Sequence, residues 1–270
     1  ASLQDGTIVA GDVRIGAHCL FGKYNFIASR GHEFRRQPHR LIRDQDETLL
    51  SDVASPMLAG HLIRIEEDCW FGQSVVVVPG VYVGRGAVIG ANTTVTKDIG
   101  PYEVHGGVPN KRIATRLEFM PPSAIAANNE ADLPYFYRGF RISQKSRQES
   151  LSQSIIFARA QACLILAPLT DGVVSLSGWC LSTHIVELAI SINGCSRGKH
   201  AIAPGPFKVS VTVPNASGMT DVPAVLRNFT FVEITTNSAQ EKPAFGISFA
   251  EIHSAAHNPP HDEAALMIQP

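Results

Sequence analysis

Apolar residues recur at every sixth position along the first third of the chain. Each six-residue unit begins with an aliphatic residue or Phe, and Gly directly follows that leading residue in five of the eleven units. The leading residues are Leu3, Val9, Ile15, Phe21, Ile27, Ile65, Phe71, Val77, Val83, Ile89 and Val95. A period of six fits neither the helical period of about 3.6 residues nor the two-residue alternation of one long strand. The pattern therefore indicates a structural repeat.

Short strands separated by turns account for this period. Each strand buries its leading side chain, the chain turns, and three strands close one triangular coil. Stacked coils pair through backbone hydrogen bonds, with strands about 4.8 Å apart. Small residues belong at the corners, where a Cβ would crowd the next coil, and we expect Gly16, Gly72, Gly84 and Gly90 there. A set of ordinary strands in a sandwich explains eleven matches less well, so we predict a parallel β-helix, or prism.

The repeat is interrupted once, between His32 and Ile65. The intervening residues are too numerous for a corner and too polar for a core. We therefore expect residues 33–64 to form an excursion loop that leaves the prism. Long ordered loops tend to carry function, and the alternative is a tolerated surface insertion.

The remainder of the chain has a different pattern. Residues 114–120 suggest a short helix that caps the prism and hides its open edge. From about residue 154, alternating apolar runs return, separated by turns rich in Pro, Gly and Asn, which predicts an antiparallel β-sandwich. The chain is thus expected to be all-β. The expected divisions are a prism domain at 1–118, a linker or arm at 119–153, a β-sandwich accessory domain at 154–255 and a mobile tail at 256–270.

Composition excludes several classes of protein. The net charge of −1 argues against electrostatic attraction to nucleic acid or to an anionic membrane. No apolar run approaches the roughly 18 residues that span a bilayer. The five cysteines are scattered, without a C-x-x-C pair, which favours reduced thiols in a cytoplasmic protein over disulfides or a zinc site. We expect no metal.

The segment from Trp70 to Ile113 resembles the prism signature of hexapeptide-repeat acetyltransferases. That family includes galactoside, maltose, xenobiotic and polysaccharide sugar O-acetyltransferases. The resemblance implies a left-handed parallel β-helix, acetyl-CoA as cosubstrate, and a homotrimer with active sites between neighbouring prisms. It covers residues 3 to about 113 and carries little information on the acceptor.

The resemblance implies that His32 is the catalytic residue, because the family's histidine lies where the loop leaves the prism. A base must remove a proton from the acceptor as it attacks the thioester, and imidazole suits this because its unperturbed pKa is about 6.5. Backbone N–H groups at a prism corner are expected to stabilise the oxyanion. Glu33 or a backbone carbonyl could orient the ring. The alternative is a surface histidine at the start of a loop.

The coenzyme contacts of the family match six positions, and lysines among them suit the phosphates of coenzyme A. As alternatives, Trp70 could be a packing residue and the lysines merely solvated. Asn110 stands where the family usually has Ala, and Phe71 where it has Ile, which leaves the local geometry open. The six positions are Trp70, Gln73, Ala91, Thr96, Lys97 and Lys111.

The leading hypothesis is an acetyl-CoA-dependent transferase that acetylates a hydroxyl, or an amine, of a sugar or polysaccharide. One alternative is a non-catalytic trimeric scaffold with a glycan-binding sandwich. Another is a zinc enzyme like the γ-class carbonic anhydrases, but these normally space two histidine ligands as H-x4-H. Six residues separate His32 and His39, and the chain has no H-x4-H.

Overall fold

A computed structural model describes five stretches of the 270-residue chain. They are residues 1–51, 61–141, 155–213, 222–236 and 244–254. The expected tail at 256–270 and residues 142–153 of the expected linker lie outside them. The chain forms two compact units, Ala1–Met120 with Pro223–Leu226, and Pro121–Val222 with Arg227–Pro270.

The first unit is built almost wholly from short strands. In chain order these are β1 (Ser2–Leu3), β2 (Ile8–Ala10), β3 (Val13–Ile15), β4 (Leu20–Phe21), β5 (Phe26–Ala28), β6 (Ile63–Ile65), β7 (Trp70–Phe71), β8 (Val76–Val77), β9 (Tyr82–Val83), β10 (Val88–Ile89), β11 (Thr94–Val95), β12 (Glu103–Gly106) and β13 (Lys111–Thr115). They form three sheets, in the orders β1-β4-β7-β10-β12-β13, β2-β5-β8-β11 and β3-β6-β9. All pairs are parallel except β12 with β13.

The pairing register confirms the predicted β-helix. Leading residues pair with leading residues three units further along the repeat, so three strands make one coil. On the first face, Leu3 pairs with Phe21, Phe21 with Phe71, and Phe71 with Ile89. The rings of Phe21 and Phe71 stack with centroids 4.6 Å apart. The fold is a left-handed parallel β-helix followed by a strand-rich unit.

Burial follows the repeat except at the first coil. Eight of the eleven leading side chains are buried, and Phe71 and Ile27 are fully enclosed. Leu3 and Val9 are 45% and 40% exposed, because the first coil has a neighbouring coil on only one side within the described chain. Ile99, which the repeat does not count among its leading residues, forms a parallel bridge with Val83 and is fully buried.

Three of the four predicted corner glycines lie where a side chain would clash. A Cβ on Gly16, Gly72 or Gly84 would come within 2.6 Å of the backbone of the next coil. Gly90 is different, because its Cβ would lie 3.4 Å from the nearest atom, so that position has more room than we predicted.

The excursion contains a helix that the sequence did not predict. Helix α1 (Ile42–Ser51) lies within it, and the chain rejoins the prism at Ile63. Gln45 on this helix is buried; its side chain accepts the Gln37 N–H and donates to the Arg40 carbonyl. The polar composition suggested an irregular loop, whereas these bonds tie the start of the helix to the residues before it.

The predicted capping helix at 114–120 was wrong, because strand β13 occupies its first two positions and residues 116–120 are not helical. Strand β13 runs antiparallel to β12 and pairs with its exposed edge. This pairing satisfies the backbone N–H and C=O groups of β12 that an open edge would leave unpaired, so no helix is needed there.

The second unit is an antiparallel arrangement of nine strands. Its central path is β19-β18-β21-β16-β22-β17-β20, with β14 beside β22 and β15 beside β16. A short 3-10 helix spans Glu130–Tyr135 in this unit, and a second, Ala224–Leu226, belongs to the first unit. The strands are β14 (Ala124–Ala126), β15 (Arg138–Phe140), β16 (Ile156–Leu166), β17 (Gly172–Cys180), β18 (Val186–Ile192), β19 (Cys195–Ile202), β20 (Gly205–Val213), β21 (Thr230–Thr236) and β22 (Phe245–Ser254).

Part of the expected linker contributes strands to this second unit. Strand β14 pairs with β22, and β15 pairs with β16. Phe136 and Tyr137 are completely buried, and the Asp132 carboxylate accepts the Ala126 N–H. Prolines and polar residues suggested an arm, but the aromatic residues between them anchor the segment in the core of the second unit.

Candidate active site

His32 lies just beyond strand β5, where the chain leaves the prism. Its side chain is 80% exposed, and its Nδ1 lies 2.6 Å from Oδ2 of Asp46. Asp46 belongs to α1, and its Oδ1 accepts the Glu33 N–H at 2.9 Å. One carboxylate therefore holds both the ring of His32 and the backbone beside it, so the helix in the excursion completes the site.

Glu33 does not orient the ring, although the sequence made it a candidate. Its carboxylate is buried and accepts the N–H groups of Arg35 at 2.6 Å and Arg36 at 2.9 Å. The Arg36 and Arg35 N–H groups hold the pKa of Glu33 below its ordinary value. Glu33 therefore shapes the turn that follows His32.

The contact between His32 and Asp46 selects one tautomer of the neutral ring. The Glu33 N–H and the His32 ring hold the pKa of Asp46 below its ordinary value, so the carboxylate is ionised near neutral pH. An ionised carboxylate can only accept hydrogen bonds, so His32 carries its proton on Nδ1. The lone pair of Nε2 is then free to accept a proton from a substrate.

Five of the six residues matched to coenzyme contacts form two groups, and neither group is hydrogen-bonded to His32 within the described chain. Gln73 and Ala91 lie at one corner in successive coils, because the Gln73 carbonyl accepts the Asn92 N–H and a Cβ on Gly72 would meet the Ala91 nitrogen. Both side chains are exposed. This corner is therefore accessible from outside the prism at both residues.

The second group joins the end of β11 to the start of β13. Thr96 and Lys97 follow β11, Lys111 begins β13, and Asn110 lies between these segments. The Asn110 side chain accepts the Thr96 N–H at 2.9 Å. Both lysines are exposed, and neither has an ion pair among the described residues. Two free ammonium groups are thus presented from neighbouring segments.

Trp70 lies apart from both groups, on the outer surface of β7. Its side chain is exposed, with 55% of the residue surface accessible, and it pairs in register with Leu20 and Val88. Trp70 is therefore not part of the buried core of the first unit.

The sequence did not identify Asp46 or the role of Asn110. Asp46 lies 14 residues from His32, and only the unpredicted helix brings it back. Asn110 was visible as a departure from the family pattern, which was the one available signal. The described residues include no group of three or more His, Cys, Asp and Glu side chains suited to a metal.

Residues 63–97 match the family model described as bacterial transferase hexapeptide, six repeats. The matched residues lie within the first unit and cover a minority of the chain. A chloramphenicol acetyltransferase from Agrobacterium fabrum is 46% identical over 110 residues, which is 38% of this chain and 52% of that protein. The chain spans about half the length of this and two other chloramphenicol acetyltransferases that it matches.

Two solved structures are each similar to part of the chain. One is a hexapeptide-repeat-containing acetyltransferase from Vibrio cholerae O1 biovar eltor, complexed with acetyl coenzyme A. It is 24% identical, with a TM-score of 0.31, over 39% of this chain and 50% of that chain. The other is the CBM36-1 domain of a multidomain xylanase from the hindgut metagenome of Trinervitermes trinervoides. It is 12% identical, with a TM-score of 0.27, over 35% of this chain and 71% of that chain.

Proposed function

We propose that this protein transfers an acetyl group from acetyl-CoA to a hydroxyl, or an amine, of its acceptor. The observation that carries the proposal is the 2.6 Å contact between His32 Nδ1 and Asp46 Oδ2. A solvated histidine with no task needs no oriented carboxylate, whereas a general base gains from a fixed tautomer. The exposed position of His32 leaves its Nε2 open to an acceptor.

In the proposed reaction, His32 alone takes up and returns the proton that is transferred. Nε2 takes the proton of the acceptor hydroxyl while the oxygen attacks the thioester carbonyl. The oxyanion that forms requires fixed donors such as backbone N–H groups. The C–S bond then breaks, and the departing thiolate takes the proton back from His32. Asp46 stabilises the imidazolium between these two transfers.

Acetyl-CoA would be held by the corner and segments described above. Gln73 and Ala91 would line the pantetheine arm, Thr96 would contact the phosphate end of the coenzyme, and Lys97 and Lys111 would pair with its phosphates. We propose that Trp70, exposed on the prism, contacts coenzyme as well.

We propose a sugar or polysaccharide as the acceptor, with the prism domain at 1–118 catalytic and the sandwich domain at 154–255 accessory. A second candidate is an antibiotic hydroxyl, since several curated relatives are named chloramphenicol acetyltransferases. The two candidates share the chemistry at His32 and differ only in the acceptor.

A homotrimer is the proposed assembly. Large apolar side chains are exposed on the outer faces of the prism, including Leu20 at 55%, Phe26 at 46% and Ile8 at 54%. Apolar surface of this kind suits contact with a second copy of the chain. No helix in the described part of the chain is long and apolar enough to cross a membrane. The free cysteines suit a reducing compartment, which supports a cytoplasmic location.

The test is release of free thiol from acetyl-CoA in the presence of candidate acceptors. The panel contains amino sugars, nucleotide sugars, polysaccharides and chloramphenicol. His32→Ala should abolish acceptor-dependent release by at least about 100-fold. His39→Ala, an exposed histidine of the same excursion, is the matched control and should behave as wild type.

The alternative is a non-catalytic scaffold, for which both histidine variants would be indistinguishable from wild type. Wild-type protein that neither releases thiol nor binds coenzyme A across the panel would favour that scaffold.

A further inference from the structure

Asn110 is buried at the junction of the two lysine-bearing segments. Its Oδ1 accepts the Thr96 N–H at 2.9 Å, its Nδ2 lies 3.4 Å from the Lys97 carbonyl, and its own N–H donates to the Thr94 carbonyl at 2.9 Å. Lys111 follows it directly. A single side chain therefore ties the backbone of Thr96 and Lys97 to that of Lys111.

A second buried side chain fixes the orientation of the Asn110 amide. His105 Nδ1 lies 3.1 Å from Asn110 Nδ2, and the His105 side chain is only 8% exposed. Because Oδ1 already accepts the Thr96 N–H, the amide must donate through Nδ2 to His105. Nδ1 is then an acceptor, and the ring carries its proton on Nε2.

Glu103 completes the chain of hydrogen bonds. His105 Nε2 lies 2.9 Å from Glu103 Oε2, which also accepts the Gly100 N–H at 2.8 Å. Every contact in this series therefore pairs one donor with one acceptor. His105 Nε2–H donates to Glu103, Asn110 Nδ2 donates to His105 Nδ1, and the Thr96 N–H donates to Asn110 Oδ1. Reversing the amide would set two donors against each other at Thr96 and remove the donor to His105, so the arrangement has one low-energy form.

We propose that Asn110, held by His105 and Glu103, is a positioning residue that fixes Lys97 and Lys111 for the phosphates of coenzyme A. This inference rests on the proposed function. We call the hydrogen-bonded series Glu103–His105–Asn110 the clamp. The family usually has Ala at the position of Asn110, so the clamp is a feature of this chain. Neither lysine side chain is part of the clamp, which leaves both ammonium groups free to meet an anion.

The test compares the binding of coenzyme A with that of pantetheine, which has the same thiol arm and no phosphate. Asn110→Ala in the full chain should weaken coenzyme A binding about tenfold, the equivalent of about 1.4 kcal/mol, and leave pantetheine binding unchanged. Isothermal titration calorimetry at low ionic strength measures both dissociation constants. A purely structural loss would weaken both ligands alike.

Asn193→Ala is the matched control. Asn193 is another buried asparagine that joins two segments, but it lies in the second unit: its Oδ1 accepts the Phe231 N–H at 2.8 Å, and its own N–H donates to the Phe231 carbonyl at 2.8 Å. It should lower thermal stability as Asn110→Ala does, with no change in coenzyme A binding. If Asn110→Ala does not fold, His105→Ala serves instead, because it removes only the ring that accepts a hydrogen bond from Asn110. It should weaken coenzyme A binding about threefold and leave the dissociation constant of pantetheine unchanged.

The outcomes separate this inference from the function on which it rests. Wild-type affinity for coenzyme A in the folded Asn110→Ala variant would overturn the clamp and leave the transferase standing. Equal weakening of coenzyme A and pantetheine would also overturn it. Failure of the wild-type protein to bind coenzyme A would refute the proposed function itself, and the clamp with it.

Discussion

Replacing Asp46 by Asn tests the proposed mechanism at its most specific point. The change keeps the size of the side chain and retains an oxygen that can accept the Glu33 N–H, now 2.9 Å from Oδ1. The NH2 group is then directed at His32 Nδ1, which lies 2.6 Å from Oδ2 in the native structure. A donor at that place forces Nδ1 to accept, so the ring must carry its proton on Nε2.

The magnitude follows from this change of tautomer. With Nε2 protonated, His32 has no lone pair to offer the acceptor, and the general-base contribution of about 10²–10⁴ is lost. Asp46→Ala removes the carboxylate without imposing a donor, so water can meet Nδ1 and part of the population keeps the productive tautomer. We therefore expect Asp46→Asn to lower kcat by at least about 100-fold, and more than Asp46→Ala does.

The assay is thiol release with the acceptor that the panel identifies, with kcat and the KM for acetyl-CoA measured separately. KM for acetyl-CoA should stay unchanged, because among the described residues the Asp46 carboxylate is hydrogen-bonded to His32 and Glu33 alone. Glu47→Gln, an exposed acidic residue on the same helix, controls for the lost charge and should be neutral. The reasoning is refuted if Asp46→Asn keeps wild-type kcat, or if Ala proves more damaging than Asn.

Three further predictions concern the stability of the prism. Phe71→Ala removes a fully buried ring stacked on Phe21, and it should lower the free energy of unfolding by about 3–5 kcal/mol in denaturant titration. Gly72→Ala should lower the melting temperature because its Cβ would lie 2.6 Å from the next coil, whereas Gly31→Ala, with nothing within 4 Å, should not; equal melting temperatures would contradict the packing argument. Burial opposes ionisation of Glu103, but hydrogen bonds from neighbouring groups outweigh it and hold its pKa below the ordinary value of about 4.3. Stability from this carboxylate is therefore present above that value and lost as the pH falls through the lowered pKa, so Glu103→Gln should flatten acid unfolding below about pH 4.3. An acid transition as steep as that of the wild type would count against this assignment.

The six-residue repeat was sufficient to predict the prism because its signal is local. Each leading residue occupies the same place in its strand, so one period determines which side chains point inward and which residues stack. Phe21, Phe71 and Ile89 pair as that period requires. The strand-rich second unit was predicted for a similar reason, since alternation with a period of two marks a strand with one buried face.

The site depended on contacts that no local pattern encodes. The sequence identified His32 as a catalytic candidate through resemblance, but it could not supply the partner of the ring. Asp46 reaches His32 because α1 folds back toward the prism, and a polar helix inside an excursion carries no strong period. In the sequence, Asn110 was visible only as a departure from the family pattern. The role of its side chain depends on the buried His105, which the pairing of β12 with β13 brings alongside it. The sequence alone thus determined the coils, through repetition, whereas the tertiary structure decided which polar groups meet, because each such pair joins elements whose relative position only folding determines.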